Sequence, residues 1–287
     1  MKILVTGSRG QLGRELYDVL EERLPGHTVY TGTDELNITD AAAVKNFLQA
    51  GDFTHIINCA AYTNVELAEE DKHKCYAVNA EGVRNIGSHA GELGVKVLHV
   101  STDYVFDGRS CRPYTEGDKV NPTSEYGSSK RKGETALLGL APESIIIRTG
   151  WLYSPNGHNF LNTMIRLGAE RNEIKVVFDQ IGTPTYARDL AETIATMVVA
   201  SRWIPGTYHY SNEGACSWYD FAVDIMDGYG LKCKVIPITS ADFPSAVIRP
   251  PFSVLDKSRI KATYGIEIPH WRDGLRRCLN RMTDQNK

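Results

Sequence analysis

The first 150 residues alternate short apolar runs with amphipathic stretches. The runs at 2–6, 28–31, 55–59, 95–101 and 144–148 are rich in Val and Ile and lack a clean apolar/polar alternation. Strands covered on both faces read this way, because neither face needs a polar row. Between the runs the spacing becomes helical. Leu12, Leu16, Val19 and Leu20 fall at i, i+4, i+7 and i+8, one face of a helix. A second helix is expected over 41–50, capped by Thr39-Asp40, and a third over 78–93, ended by Gly94. Strands alternating with helices predict an α/β fold with a doubly wound parallel sheet of the Rossmann type.

The pattern loosens after Gly150, where loops lengthen and prolines become frequent. A strand at 174–178 and a helix at 188–199 read as a return to the first layer. A strand at 207–210, a helix at 217–229, a strand at 233–238 and a helix from about Trp271 read as a smaller C-terminal α/β region. The expected division is a dinucleotide-binding unit over 1–150, rejoined by about 174–200. The substrate-binding region would then be 151–173 and 201–287.

Composition narrows the class without naming a chemistry. Of 287 residues, 42% are apolar and 23% charged, the balance of an ordinary globular protein. The net charge of −3 argues against nucleic acid or a membrane surface as the main partner. No apolar run approaches the ~18 residues of a membrane span. Ile3-Leu4-Val5 is too short for a signal-peptide core, so a cytoplasmic location is expected. The six cysteines form no C-x-x-C pair and are expected to be thiols. The eight histidines form no H-E-x-x-H pair, so no metal site is expected.

Two constellations carry chemistry. The first is Gly7-Ser8-Arg9-Gly10-Gln11-Leu12-Gly13, between the first strand and the first helix. Glycines there permit a tight turn and close approach of a pyrophosphate, which the helix N-terminus attracts. An acid about 20 residues on would hold a ribose 2′-hydroxyl. Here Gly32 takes the discriminating position and Asp34 lies slightly beyond it. With no carboxylate at Gly32 and with Arg9 nearby, NADPH is favoured and NADH is also accepted. The second constellation is Thr102, directly after a buried strand, with Tyr126 and Lys130 four apart on a helix face. Reduction of a ketone needs a proton donor beside the carbonyl. A neighbouring ammonium brings a tyrosine closer to working pH, and a threonine hydroxyl helps to hold the developing alkoxide.

These motifs together resemble the extended short-chain dehydrogenase/reductases. Asn58 to Val65, Ser101-Thr102-Asp103-Tyr104-Val105-Phe106, Arg148-Thr149-Gly150-Trp151 and Asp179 to Thr185 resemble the dTDP-4-dehydrorhamnose reductase family in particular. Tyr208-His209-Tyr210, Ser217 to Phe221 and Arg249-Pro250 extend the likeness over nearly the whole chain. The resemblance implies reduction of the C4 keto group of dTDP-4-dehydrorhamnose to dTDP-L-rhamnose, in nucleotide-sugar and cell-surface polysaccharide biosynthesis. Tyr126 would donate the proton, with Lys130 tuning it and Thr102 assisting. Gly7, Arg9, Gly10, Gln11, Leu12 and Gly13 would hold the cofactor with Asn37, Ile38, Ala60, Ala61, Tyr62, Tyr126 and Lys130. Thr102, Asp103, Tyr104, Trp151 and Arg249 would contact the nucleotide-sugar. Trp218 and the acidic run from Glu66 to Asp71 read instead as core and as a solvated helix face. Some family members hold Mg²⁺ between subunits. Glu15 suits that, but Arg188 stands where a second acid is wanted, so no metal is expected. A monomer or homodimer is expected.

Two other functions share these residues. A nucleotide-sugar epimerase could use the same tyrosine and lysine, but would retain its oxidised cofactor. A dehydratase is disfavoured by Tyr104, where an acid would be needed. A non-catalytic subunit resembling the regulatory subunit of methionine adenosyltransferase is the third reading, and intact Thr102, Tyr126 and Lys130 weigh against it.

Overall fold

In a computed structural model, which describes residues 1–243, 245 and 247–285, the alternation of the first half becomes strand and helix in turn. Its elements are β1 (Ile3–Thr6), α1 (Gln11–Arg23), β2 (Thr28–Thr31), α2 (Ala41–Gly51), β3 (His55–Asn58), α3 (Val65–Glu70), α4 (Lys72–Tyr76), α5 (Val83–Leu93), β4 (Lys96–Thr102), α6 (Glu125–Leu140) and β5 (Ile145–Thr149). The second half adds β6 (Leu152–Tyr153), α7 (Phe160–Glu170), β7 (Glu173–Val177), β8 (Ile181–Gly182), β9 (Thr185–Tyr186), α8 (Ala187–Val199), β10 (Gly206–His209), β11 (Cys216–Ser217), α9 (Trp218–Tyr229), β12 (Lys234–Ile238), α10 (Ser258–Tyr264) and α11 (Trp271–Gln285).

Six strands form one sheet in the order β2-β1-β3-β4-β5-β10, with every pair parallel. Every residue of β1, β3 and β5 is buried, which is why those runs do not alternate. The apolar stripe of α1 packs with Leu190 and Ile194 of α8 on one face of the sheet. On the other face Val44 and Leu48 of α2, Val83 and Ile86 of α5 and Leu137 of α6 bury Leu4, Ile56 and Ile146. The caps follow the sequence: Asp40 accepts a hydrogen bond from Ala43 N at 3.0 Å, and Gly94 closes α5 with φ +66°. The helix expected over 78–93 opens with one π-helical turn, Ala77–Gly82. That wide turn places Asn79 to bond the backbone of Tyr62 in both directions, at 2.8 and 3.0 Å.

The observed topology corrects the expected division in two respects. The strand expected at 174–178 does not return to the main sheet; β7 pairs with β12 in a separate two-stranded sheet. Its exposed Glu173 and Lys175 alternate with buried Ile174 and Val176, so it offers only one apolar face. β10, expected in the smaller region, instead extends the main sheet beside β5. Of the expected return only α8 packs on the first layer. The smaller part has its own core, built from Leu161 of α7, Ile174 of β7, Phe221 and Ile225 of α9, and Trp271 and Leu275 of α11. Residues 286 and 287, at the end of the expected substrate-binding region, lie outside the described residues. No described helix is long and apolar enough to cross a membrane.

Candidate active site

Register decides what meets at the edge of the sheet. Thr6 lies opposite Asn58, Asn58 opposite His99, and Thr102 opposite Thr149. The C-terminal ends of β1, β3, β4 and β5 therefore share one rim, facing the smaller part across a cleft of about 820 Å³. Every expected site residue except Arg249 lines this cleft.

The glycine loop is shaped by two close approaches. A Cβ on Gly7 (φ +68°) would sit 2.6 Å from Ala60 N, and one on Gly13 would sit 2.5 Å from Gly7 O. Without side chains the loop closes tightly and α1 begins at Gln11, with its first N–H groups lacking helical partners at the cleft. Gln11 also accepts a hydrogen bond from Asn159 Nδ2 at 2.8 Å, which ties the loop to the smaller part. Ala60 N donates to Asn58 Oδ1 at 3.1 Å, holding the Ala60-Ala61-Tyr62 segment beside Gly7. Asn37 accepts from both the N–H and the hydroxyl of Thr39, at 3.1 and 2.9 Å. Ile38 is buried, and its carbonyl accepts from Asn85.

At the end of β2 the structure adds an acidic pair to the expectation for Arg9. Arg9 is ion-paired with both Asp34 and Glu35, and Glu35 also accepts from Gly32 N at 2.8 Å. A Cβ on Gly32 would lie 2.9 Å from Arg9 Nε, so the glycine leaves room for the arginine to cross. Two carboxylates thus offset the charge expected to favour a 2′-phosphate.

Thr102 ends β4, and Tyr126 and Lys130 stand on α6, whose Ser124 cap accepts from Gly127 N at 3.1 Å. Tyr126 meets Tyr104 edge to face at 5.6 Å. Burial pushes the Tyr126 hydroxyl well above its ordinary value, against the pull of a hydrogen bond from Thr102. Burial lowers Lys130 to about 8, while Glu134 one turn on works in the other direction. Its Nζ donates to Val100 O at 2.7 Å and lies 3.4 Å from His99 Nε2. Asp103 is buried in a space that Gly150 leaves open, accepts from Thr102 Oγ1 at 3.1 Å, and is pushed up to about 6 by burial. Behind the rim Glu134, fully buried, accepts from Ser101 at 2.6 Å, from Arg148 at 2.9 and 2.8 Å, and from Arg131 at 2.9 Å.

The facing wall is aromatic. Trp151 has a positive φ of 51° and stacks flat on Trp218, with ring centroids 3.5 Å apart. Trp218 packs on the core of the smaller part, as its reading as core expects, and also lines the cleft. The signal was present: Ser217 and Asp220 form a capping box, which puts Trp218 on the first turn of α9 at the cleft. Arg249 is not among the residues that line the cleft, although its charge acts on Tyr104. It turns to Glu66, which accepts from Arg249 Nη2 at 2.9 Å and from Ser245 Oγ at 3.0 Å. Glu66 is thus a partner to the C-terminal loop at the partly exposed start of the acidic run. Glu15 is fully buried and accepts from Arg281 at 2.6 Å, and Arg188 pairs with Glu22 and Glu192. Among the described residues no group of three His, Cys, Asp or Glu side chains is placed to hold a metal ion.

The sequence profile described as the RmlD substrate binding domain matches residues 1–284. The spore coat polysaccharide biosynthesis protein SpsK of Bacillus subtilis (strain 168) is 39% identical, over 97% of this chain and 96% of its own. The dTDP-4-dehydrorhamnose reductase of Aggregatibacter actinomycetemcomitans is also 39% identical, over 96% of this chain and 97% of its own. Among solved structures, the dTDP-4-dehydrorhamnose reductase of Bacillus anthracis str. Ames, in complex with NADP, superposes with a TM-score of 0.94 at 38% identity. The match covers 98% of this chain and 100% of that one.

Proposed function

This chain belongs to the dTDP-4-dehydrorhamnose reductase family, and from there we propose that it reduces the C4 keto group of dTDP-4-dehydrorhamnose to dTDP-L-rhamnose with NADPH, NADH also being accepted. The observation that carries this reading is the meeting of Thr102, Tyr126 and Lys130 with the glycine loop in one cleft. The loop fits a dinucleotide, because side chains at Gly7 and Gly13 would fill the space that lets it fold back at the head of α1. When bound, the dinucleotide supplies the hydride.

The chain's own residues handle the proton and the orientation. Tyr126 keeps its proton at working pH, since burial holds the hydroxyl in its neutral form, and gives it to the carbonyl oxygen as charge develops there. Thr102 supports the tyrosinate that is left, and Lys130 adds positive charge beside it. Asp103 and Tyr104 flank the sugar, while Trp151 and Trp218 form a platform for its apolar face. The product enters cell-surface polysaccharide synthesis, a role in keeping with the name of the Bacillus subtilis relative.

The test is turnover of NADPH with dTDP-4-dehydrorhamnose, with dTDP-L-rhamnose identified as product. The expected result is stoichiometric oxidation of the cofactor, with a higher kcat/KM for NADPH than for NADH. Protein purified with tightly bound NAD⁺ that leaves free NADPH unconsumed would point to an epimerase instead.

A further inference from the structure

The proposed reaction makes no use of His99, one of the buried titratable groups. His99 is fully buried in the middle of the sheet, directly behind Lys130. Its ring is held at both nitrogens. Asn58 Nδ2 lies 3.0 Å from His99 Nδ1, and Lys130 Nζ lies 3.4 Å from Nε2.

The orientation of Asn58 fixes the tautomer. Its Oδ1 accepts from the backbone N–H of Ala60 at 3.1 Å and from the Thr6 hydroxyl at 2.7 Å. A backbone N–H can only donate, so the atom it meets is the amide oxygen and the atom facing His99 is the NH₂ group. An NH₂ group has no lone pair to offer, so His99 Nδ1 must accept. The neutral ring then carries its proton on Nε2, aimed at the lysine nitrogen. Burial keeps the ring neutral, holding it well below its ordinary value.

Against an ammonium, that arrangement sets donor against donor. Against an amine, it makes a hydrogen bond to the lone pair. The Nζ to Nε2 separation is 3.4 Å, against 2.7 Å for the bond from the same Nζ to Val100 O. We propose that His99 is a positioning residue for Lys130: Asn58 locks its tautomer, and the Nε2–H favours the uncharged amine, so that the lysine exchanges its proton near working pH.

The other groups around the lysine do not supply this effect. Glu134 on α6 favours the ammonium, but it is already neutralised by Arg148 of β5 and by Arg131. Cys59, after β3, and Cys75 of α4 act in the same direction as Glu134. Thr6 and Asn58 are uncharged. Burial favours the amine, and among the described residues His99 is the side chain placed to act with it.

The inference deepens the proposed reductase reading, so its test must separate the two. In protein labelled with ¹⁵N-histidine, the His99 ring is identified by through-space contact with the Lys130 methylenes. The expected spectrum shows an unprotonated Nδ1 and a protonated Nε2; the reverse tautomer overturns the proposal, whatever the enzyme reduces. In turnover, the alkaline limb of kcat is expected to move up by about one pH unit in His99→Phe, which removes the donor. A folded His99→Phe enzyme whose limb stays in place also overturns it, since a purely structural role lowers kcat without moving the limb. If His99→Phe does not fold, Asn58→Leu removes the tautomer lock and is expected to shift the limb in the same direction. If the unaltered protein leaves NADPH unconsumed with dTDP-4-dehydrorhamnose, the reductase assignment fails while the tautomer result stands on its own.

Discussion

The two walls of the cleft are built by opposite means. The sheet side is a buried polar framework: Thr6, Asn58, His99, Ser101, Lys130, Glu134 and Arg148 are all buried and linked by hydrogen bonds. The facing side is an aromatic stack, Trp151 on Trp218 with Phe160 and Phe221 behind, resting on the apolar core of the smaller part. The polar wall holds proton-bearing groups at fixed positions and displaced affinities, at a cost in stability, because each must be desolvated and partnered. The aromatic wall gains stability from burial and offers area rather than protons. In the proposed reaction, chemistry belongs to the first wall and binding to the second.

Substitutions on each wall test that contrast. Tyr126→Phe should cause the largest loss, lowering kcat by about 10³-fold with little change in cofactor affinity, since only the proton donor is removed. Steady-state kinetics with NADPH would show it; a comparable rise in KM with kcat intact would break the contrast. Glu134→Ala should come next, destabilising the fold by about 3 kcal/mol, because Arg148 would be left buried without its partner. Urea denaturation measures this. Trp218→Ala, on the other wall, should raise KM for the nucleotide-sugar about tenfold and leave kcat nearly unchanged. An equal loss in kcat would make the aromatic wall part of the chemistry.

The smallest expected effect concerns Asp103. Its folded-state value of about 6 lies above the ordinary carboxyl value, so the native state holds the proton more tightly than the unfolded chain does. Stability should therefore be greatest below about pH 4 as far as this group is concerned, and should decline as pH rises to about 6. Asp103→Asn should remove that decline, so that stability changes less between pH 4 and pH 7 than in the unaltered protein. Denaturation at the two pH values checks the sign.

Legibility in the sequence followed the range of the interactions. The glycine loop, Thr102 and the Tyr126–Lys130 pair could be read because each depends on a local geometry: a turn, a strand end, one helical repeat. Trp218 was half legible, since its capping box is local while its stacking on Trp151 joins residues far apart in the chain. The pairing of Arg249 was not legible, because its partner Glu66 lies far away in the chain and nothing in either neighbourhood marks the pair. The strand at 174–178 is legible as a strand but not in its sheet, although its alternating charges deny it two apolar faces.

By itself, then, the sequence determined the layered α/β architecture, the loop that suits a dinucleotide and the proton-bearing pair on α6, because periodicity, glycine and helical spacing act within a few residues. Tertiary structure decided which strand closes the sheet, which aromatics face the cleft, which acid Arg249 meets and which groups face the two nitrogens of His99. Those outcomes depend on register between distant strands and on the hydrogen-bond partners that burial leaves within reach.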